Sequence, residues 1–398
     1  MENFKFIDLF SGIGGFHQAM EQLGGTCVLA SEIDDACNKA YEKNYGMSSA
    51  VNVRDLNEKK DIPDHDVLCA GFPCQAFSKA GKQEGLCDAT RGTLFFEIAR
   101  ILKEKHTKYI VLENVRNLVA HDNGNTWRII RQTLHDLGYQ LTKEPLIISP
   151  HQFGIPQLRE RVIILGKYNP EHRDEPLPIV IDAKKDKNEC SIYSIVSSEK
   201  VDDKYYISDY EEKVLTAWDE FYKGIDMKVI GFPIWADYFR CQYIPEDTPA
   251  WKKEFINKNI QLYNNNKSFI DKWLEKYNNL QEFAPTHHKM EWQAATTISS
   301  VWEGVIQFRP SGIRIKAPTC FPALVAIVQI PIIGKYRRRL TVEEAGKLQS
   351  FPNPTRNEAE MDSQHFLCAP NDQQAYKQFG NSVNVDVIKY CASKLFDL

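Results

Sequence analysis

The sequence predicts an α/β fold, a doubly wound parallel sheet accompanied by a second, smaller domain. Three observations carry this. Short β-rich runs alternate with helical patterns from Lys5 to Gly166, which is the pattern of a parallel sheet covered by helices. A glycine turn, DLFSGIGG, separates the first such run from the first helical pattern, where a strand feeding a helix needs close backbone approach. After Tyr168 the alternation gives way to prolines, mixed Lys and Asp, and a long segment rich in Asn, Lys and aromatics. A shift of this kind marks a domain boundary.

Taken in order, strands are expected at Phe4–Phe10, Cys27–Ile33, Asp66–Ala70, Tyr109–Glu113 and Val162–Gly166. Between them Leu94, Ile98, Ile101 and Leu102 fall at helical spacing, as do Trp127, Ile130, Leu134 and Leu137 before Gly138, a helix stop. The boundary is placed near residue 172, ahead of the charged run from Asp182 to Asp186. Further on, Phe269, Trp273 and Tyr277 recur every four residues. This predicts a helix burying an aromatic stripe, and a small core is favoured over a base-stacking platform. A helical pattern returns from Arg339 to Gln349, and Gln374 to Leu398 reads as a turn followed by a helix. The first domain is therefore expected to hold residues 1–172 and 370–398, and the second residues 173–369.

Composition narrows the function classes. The 398 residues carry 49 Lys and Arg against 53 Asp and Glu, a formal charge of −4, with 43% apolar and 26% charged residues. Those proportions are ordinary for a globular chain and exclude disorder and collagen-like repeats. The longest apolar stretches, Phe321 to Val328 and Ile330 to Ile333, fall far short of the roughly 18 residues of a spanning helix, so no membrane partner is expected. The start, MENFKFIDLF, runs straight into a strand pattern rather than a secretion signal, and a cytoplasmic location is expected. Ten dispersed cysteines without a C-x-x-C pair give no support for a disulfide framework or a zinc ribbon. Slight acidity argues against a uniformly basic nucleic-acid binder but leaves room for positive charge gathered on one face.

In an open parallel sheet, ligands gather outside the carboxyl ends of the strands. Four of the five expected strands end there in chemically distinctive residues. The first runs into Gly12, Ile13, Gly14 and Gly15, but the third glycine of a dinucleotide fingerprint would be needed at His17. A pyrophosphate cradle is thus disfavoured, a nicotinamide dehydrogenase with it, and a nucleoside fits better. Glu32, 20 residues past Gly12 near the end of the second strand, is placed to accept from ribose hydroxyls. The third strand runs into GFPCQAFS, which puts Cys74 on a proline-fixed loop, and the next ends at Glu113-Asn114-Val115. A thiol beside a carboxyl, with no His adjoining it in sequence, suggests that the electrophile is what becomes activated. Finally QLRER precedes a strand, and alternation places Arg159 and Arg161 on one side. Surface pairing with Glu160 is the plainer alternative for that triplet.

Together these residues resemble the cytosine-5 DNA methyltransferases. DLFSGIGGF is similar to the family's cofactor loop, GFPCQAFS to its nucleophile loop, ENV to its acid motif, QLRER to its arginine motif and QFGNSV to its closing motif, all in the family's order. The likeness covers about residues 4–168 and 336–398. It implies a Rossmann-like methyltransferase sheet with a target-recognition domain, in which residues from about 205 to 285 read as an insertion.

The resemblance also implies roles. S-adenosyl-L-methionine would be the cofactor, held by Phe10, Gly12, Ile13, Gly14, Gly15, Glu32, Ile33, Asn52, Val53, Pro73, Asn381 and Ser382. Catalysis would fall to Cys74, Glu113, Arg159 and Arg161: the thiolate adds to carbon 6 of a flipped-out cytosine, Glu113 serves ring nitrogen 3, Arg161 holds the carbonyl oxygen and Arg159 supports it. Double-stranded DNA would be the partner, contacted by Gln75, Ser78, Lys82, Arg240, Arg309, Arg314 and Arg337, with no metal and a monomeric chain expected. Two positions depart from the family's pattern. Asn52-Val53 stands where an acid usually contacts the adenine, with Asp55 three residues on, and Pro322-Ala323-Leu324-Val325 where a Thr-Leu pair is common. The expected function is the modification arm of a bacterial restriction–modification system. A transfer-RNA methyltransferase and an inactive DNA-binding relative are the alternatives.

Overall fold

The computed structural model describes residues 3–73, 94–227, 230–324, 329–360, 362 and 364–397. Cys74, Gln75, Ser78 and Lys82 therefore lie outside the described residues, as does Val325. The chain forms two compact units: residues 1–190, 323–326 and 342–398 in the first, 191–322 and 327–341 in the second.

In the first unit, β1 (Phe4–Leu9), α1 (Gly15–Glu21), β2 (Gly25–Ser31), α2 (Asp35–Tyr45), β3 (Val67–Gly71), α3 (Leu94–Lys105), β4 (Tyr109–Val115) and α4 (Asn125–Asp136) follow the expected alternation. β5 (Tyr139–Leu141), β6 (Leu146–Ile148) and β7 (Arg161–Tyr168) complete a seven-stranded sheet. Its order is β2-β1-β3-β4-β7-β5, with β6 also paired to β7. The first four strands are parallel. β7 runs antiparallel to β4, and β5 and β6 antiparallel to β7, so one side of the sheet departs from the all-parallel expectation. A strand buried on both faces reads as a continuous apolar run, and Val67 to Ala70 and Ile110 to Leu112 are fully buried. On one face α3 and α4 pack Ile98, Ile101, Leu102, Ile130 and Leu134 against Ile7, Leu68 and Ile110.

The second unit contains α5 (Asp209–Gly224), β8 (Ile234–Trp235), α6 (Ala250–Asn265), α7 (Lys267–Lys276), β9 (Lys289–Trp292), β10 (Val305–Arg309), β11 (Gly312–Lys316), β12 (Ile332–Ile333) and β13 (Arg338–Arg339). Six strands form a mixed sheet ordered β13-β12-β10-β11-β9-β8. The aromatic stripe is core, as expected. The Trp273 ring packs between Trp218 and Phe221, and its indole N–H donates to Ala217 O at 2.8 Å. Phe269 fills the space beside Gly224, where a Cβ would stand 2.0 Å from its ring.

The chain then returns to the first unit as α8 (Val342–Leu348), α9 (Asp372–Asn381) and α10 (Val385–Phe396). The first unit thus extends beyond the expected break at residue 172 and resumes before residue 370. The cause is packing: Leu177 N–H donates to Leu141 O at 2.8 Å, and Phe351 packs against Phe366 and Phe379. Every described cysteine is a free thiol. Among the described residues no helix is long and apolar enough to cross a membrane.

Candidate active site

The carboxyl ends of β1, β2, β3 and β4 surround a cavity of about 470 Å³. At the end of β1 the chain turns sharply, with Phe10, Gly12 and Gly14 all at positive φ (57°, 54° and 86°). The Gly12 N–H donates to Glu32 Oε2 at 2.9 Å, while Glu32 Oε1 accepts from the N–H groups of Ile33 and Asp34 at 2.7 and 2.8 Å. One carboxylate thereby joins the first turn to the exit of β2. A Cβ on Gly15 would stand 2.6 Å from Ser382 Oγ, so only glycine admits the segment after α9 this closely.

Of the residues expected at the cofactor, Phe10, Gly12 and Gly15 line the cavity from the first turn, Glu32, Ile33, Asn52 and Val53 from β2 onward, Pro73 from the segment after β3, and Asn381 and Ser382 from the end of α9. Ile13 and Gly14 do not line it. The Ile13 side chain is buried, and Gly14 sits against the Tyr45 ring. Sequence reasoning missed Ser11, Cys37, Lys377 and Gln378, which also line the cavity. Lys377 pairs with Asp34 at 3.0 Å and Gln378 donates to Ala36 O, tying α9 to the start of α2. These contacts span more than 340 residues of chain and leave no local signature.

Glu113, Arg159 and Arg161 also line the cavity. Glu113 lies beside Gly71 in the β3–β4 register, and Asn114 Nδ2 donates to Phe72 O at 2.7 Å. The backbone entering Pro73 is thus held to the acid motif, and Cys74 is the next residue in the chain. Arg161 Nε stands 2.9 Å from Glu113 Oε1. Burial pushes the Glu113 carboxyl above the ordinary carboxylate value, and the Arg161 and Arg159 guanidiniums oppose that rise without cancelling it.

Arg159 and Arg161 both line the cavity, as alternation predicted, but their roles differ. Glu160 points away and pairs with Arg116 at 2.5 Å. The buried Arg159 guanidinium donates to the carbonyls of Gly380 and Ser382, each at 2.8 Å, and of Leu324 at 3.3 Å. Burial, with Arg161 close by, pulls its pKa down to about 9. Arg159 is therefore a strap across the segment that carries Asn381 and Ser382. Arg159→Met removes the donors to three buried carbonyls, and is expected to destabilise the first unit by about 2–4 kcal/mol, read as a lower denaturation midpoint in urea.

The four arginines expected at DNA are all engaged within the second unit. Arg240 pairs with Asp271 at 2.6 Å, Arg309 and Arg314 both pair with Glu291 at 2.8 Å, and Arg337 pairs with Glu212. Among the described residues no group of three or more His, Cys, Asp or Glu is arranged to hold a metal ion.

The model of the C-5 cytosine-specific DNA methylase family matches residues 4–397. The chain belongs to this family. It is 32% identical to the Type II methyltransferase M.AluI of Cellulosimicrobium cellulans, over 97% of this chain and 91% of the relative. It is likewise 32% identical to M.HpaII of Haemophilus parainfluenzae, over 100% and 90%. Of solved structures, a mutant form of Spodoptera frugiperda DNMT2 superposes with a TM-score of 0.53 at 21% identity, covering 99% of both chains, a likeness of fold.

C-5 cytosine methylases use S-adenosylmethionine as methyl donor, and the cavity suits it. The volume is that of a small-molecule site. Around Gly12 the space a Cβ would occupy is open, with nothing within 4 Å. Ser11 Oγ is buried against the cavity without a hydrogen-bond partner among the described residues, and Glu32 presents an acceptor for ribose hydroxyls.

Proposed function

We propose that this DNA cytosine-5 methyltransferase modifies one specific double-stranded sequence for a Type II restriction–modification system, through a covalent adduct between Cys74 and a flipped-out cytosine. One observation carries the reading: Glu113 and Arg161 meet at the cavity, beside backbone fixed up to Pro73, the residue before Cys74.

Carbon 5 of cytosine is a poor nucleophile. The Cys74 thiolate adds to carbon 6, forming the sulfur–carbon bond and shifting the ring's electron pair toward carbon 5. The Glu113 carboxyl gives a proton or hydrogen bond to ring nitrogen 3 as that pair moves, a contribution typically worth about 10²–10⁴-fold. Arg161 binds the carbonyl oxygen of the ring, a task suited to a guanidinium. When bound, S-adenosylmethionine supplies an electrophilic methyl group. Once carbon 5 carries the methyl, its proton passes to a base, any proton taken by ring nitrogen 3 returns to the Glu113 carboxylate, the electron pair re-forms the ring double bond, and Cys74 leaves as thiolate. The target base must first leave the stack, at a cost of a few kcal/mol.

Sequence reading falls to the second unit. Its arginines are held by carboxylates in the free chain, so phosphates and guanine edges compete with Glu291, Asp271 and Glu212 for them. Each good bidentate base contact discriminates by about 1–3 kcal/mol. A duplex carrying 5-fluorocytosine at the target is expected to trap the protein as an adduct that survives denaturation, because fluorine cannot leave as a proton does. Bisulfite sequencing of DNA from an expressing host reads the site. Methyl transfer to transfer RNA with none to DNA would overturn the substrate assignment, and a wild type that forms no trapped adduct would overturn the covalent route.

A further inference from the structure

The glycine turn is braced from the side away from the cavity. Tyr45, the last residue of α2, brings its hydroxyl within 3.1 Å of Ile13 O and 3.0 Å of Gly14 O, so one phenolic hydrogen serves two successive carbonyls of the turn. The ring leaves no room at Gly14, where a Cβ would lie 2.3 Å from it. Behind Tyr45 the His17 imidazole stacks on the ring, with centroids 3.9 Å apart and planes 16° from parallel.

His17 is itself fixed at both nitrogens. Nε2 lies 3.0 Å from Glu21 Oε1 and Nδ1 2.6 Å from the Tyr41 hydroxyl. A carboxylate only accepts, so Nε2 is the donor toward Glu21. The residue standing where a dinucleotide fingerprint would carry its third glycine thus anchors a buried stack under the turn.

We propose that Tyr45, held by His17, is a positioning residue for S-adenosylmethionine: it fixes the Ile13 and Gly14 peptides and so aims the turn at the cofactor without lining the cavity. The Gly12 N–H on Glu32 and the contact of Gly15 with Ser382 depend on the same turn. Loss of the phenol therefore loosens cofactor binding while leaving the reacting groups at β4 in place.

The test is isothermal titration of S-adenosylhomocysteine into wild type and Tyr45→Phe, which keeps the ring stack and removes only the hydroxyl. The expected result is a Kd raised about 5–10-fold with kcat at saturating cofactor within twofold of wild type. His17→Ala, which removes the stack, is expected to raise Kd in the same direction. An unchanged Kd in Tyr45→Phe overturns the proposal even if the thermal midpoint falls, because that is the mark of a purely structural hydroxyl. A wild type that does not bind S-adenosylhomocysteine would overturn the cofactor assignment of the cavity, and this proposal with it.

Discussion

Cys74→Ser is expected to reduce methyl transfer by at least about 10³-fold while leaving the affinity for S-adenosylhomocysteine within twofold of wild type. The two halves of that result rest on different parts of the molecule. A thiol with a pKa near 8.5 is a few per cent thiolate at neutral pH, a cost of about 2 kcal/mol that modest activation offsets. A serine hydroxyl has no comparable ionised fraction, and among the described residues lining the cavity there is no histidine to act as its base. The cofactor end, by contrast, is lined chiefly by the β1 turn, Glu32 and the end of α9, whose side chains the substitution leaves unchanged. Single-turnover kinetics on a duplex substrate measures the first half and calorimetry the second. Activity retained in Cys74→Ser would rule out sulfur as the nucleophile.

The parts of this protein that could be read from its sequence are those whose causes are local. β3 and β4 announce themselves because a strand buried on both faces is apolar along its length, and α3 and α4 because their core faces repeat with the helical period. The side-by-side arginines followed from strand alternation alone. β5 and β6 did not emerge, since three residues are too few to display any period.

What Arg159 does was equally hidden. Its carbonyl partners lie 165, 221 and 223 residues away, and a motif that specifies two arginines does not say that one stands against Glu113 and the other grips the backbone. The brace under the glycine turn has the same character. His17 was legible as the residue that disfavours a pyrophosphate cradle, but its stacking partner is at the far end of α2. Domain limits failed for a related reason. Residues 173–190 have little apolar patterning, yet they are tied to the first unit by single backbone bonds such as Lys185 N–H to Gln152 O at 3.2 Å.

Glu113→Gln separates the two things a buried carboxyl can do at this site. The amide keeps the size and can still donate a hydrogen bond, but it cannot deliver a proton, so kcat is expected to fall about 10²–10⁴-fold. Because burial raises the Glu113 carboxyl, wild-type kcat should decline as pH rises through the raised folded-state value, where the acid form is lost. Glu113→Gln should show no such limb. The same shift sets a stability dependence. The fold favours the protonated acid, so this contribution is fully present below the ordinary glutamate value of about 4.3 and is lost as pH rises through the folded value. The mutant's stability should be flatter across that window. Arg161 and Arg159 supply the counterweight: were their attraction dominant, the carboxyl would be depressed, and the wild type would instead gain stability with rising pH. Kinetic and urea titrations run over the same pH range decide between these signs. A decline with rising pH that survives unchanged in Glu113→Gln would transfer the proton-donor role away from β4.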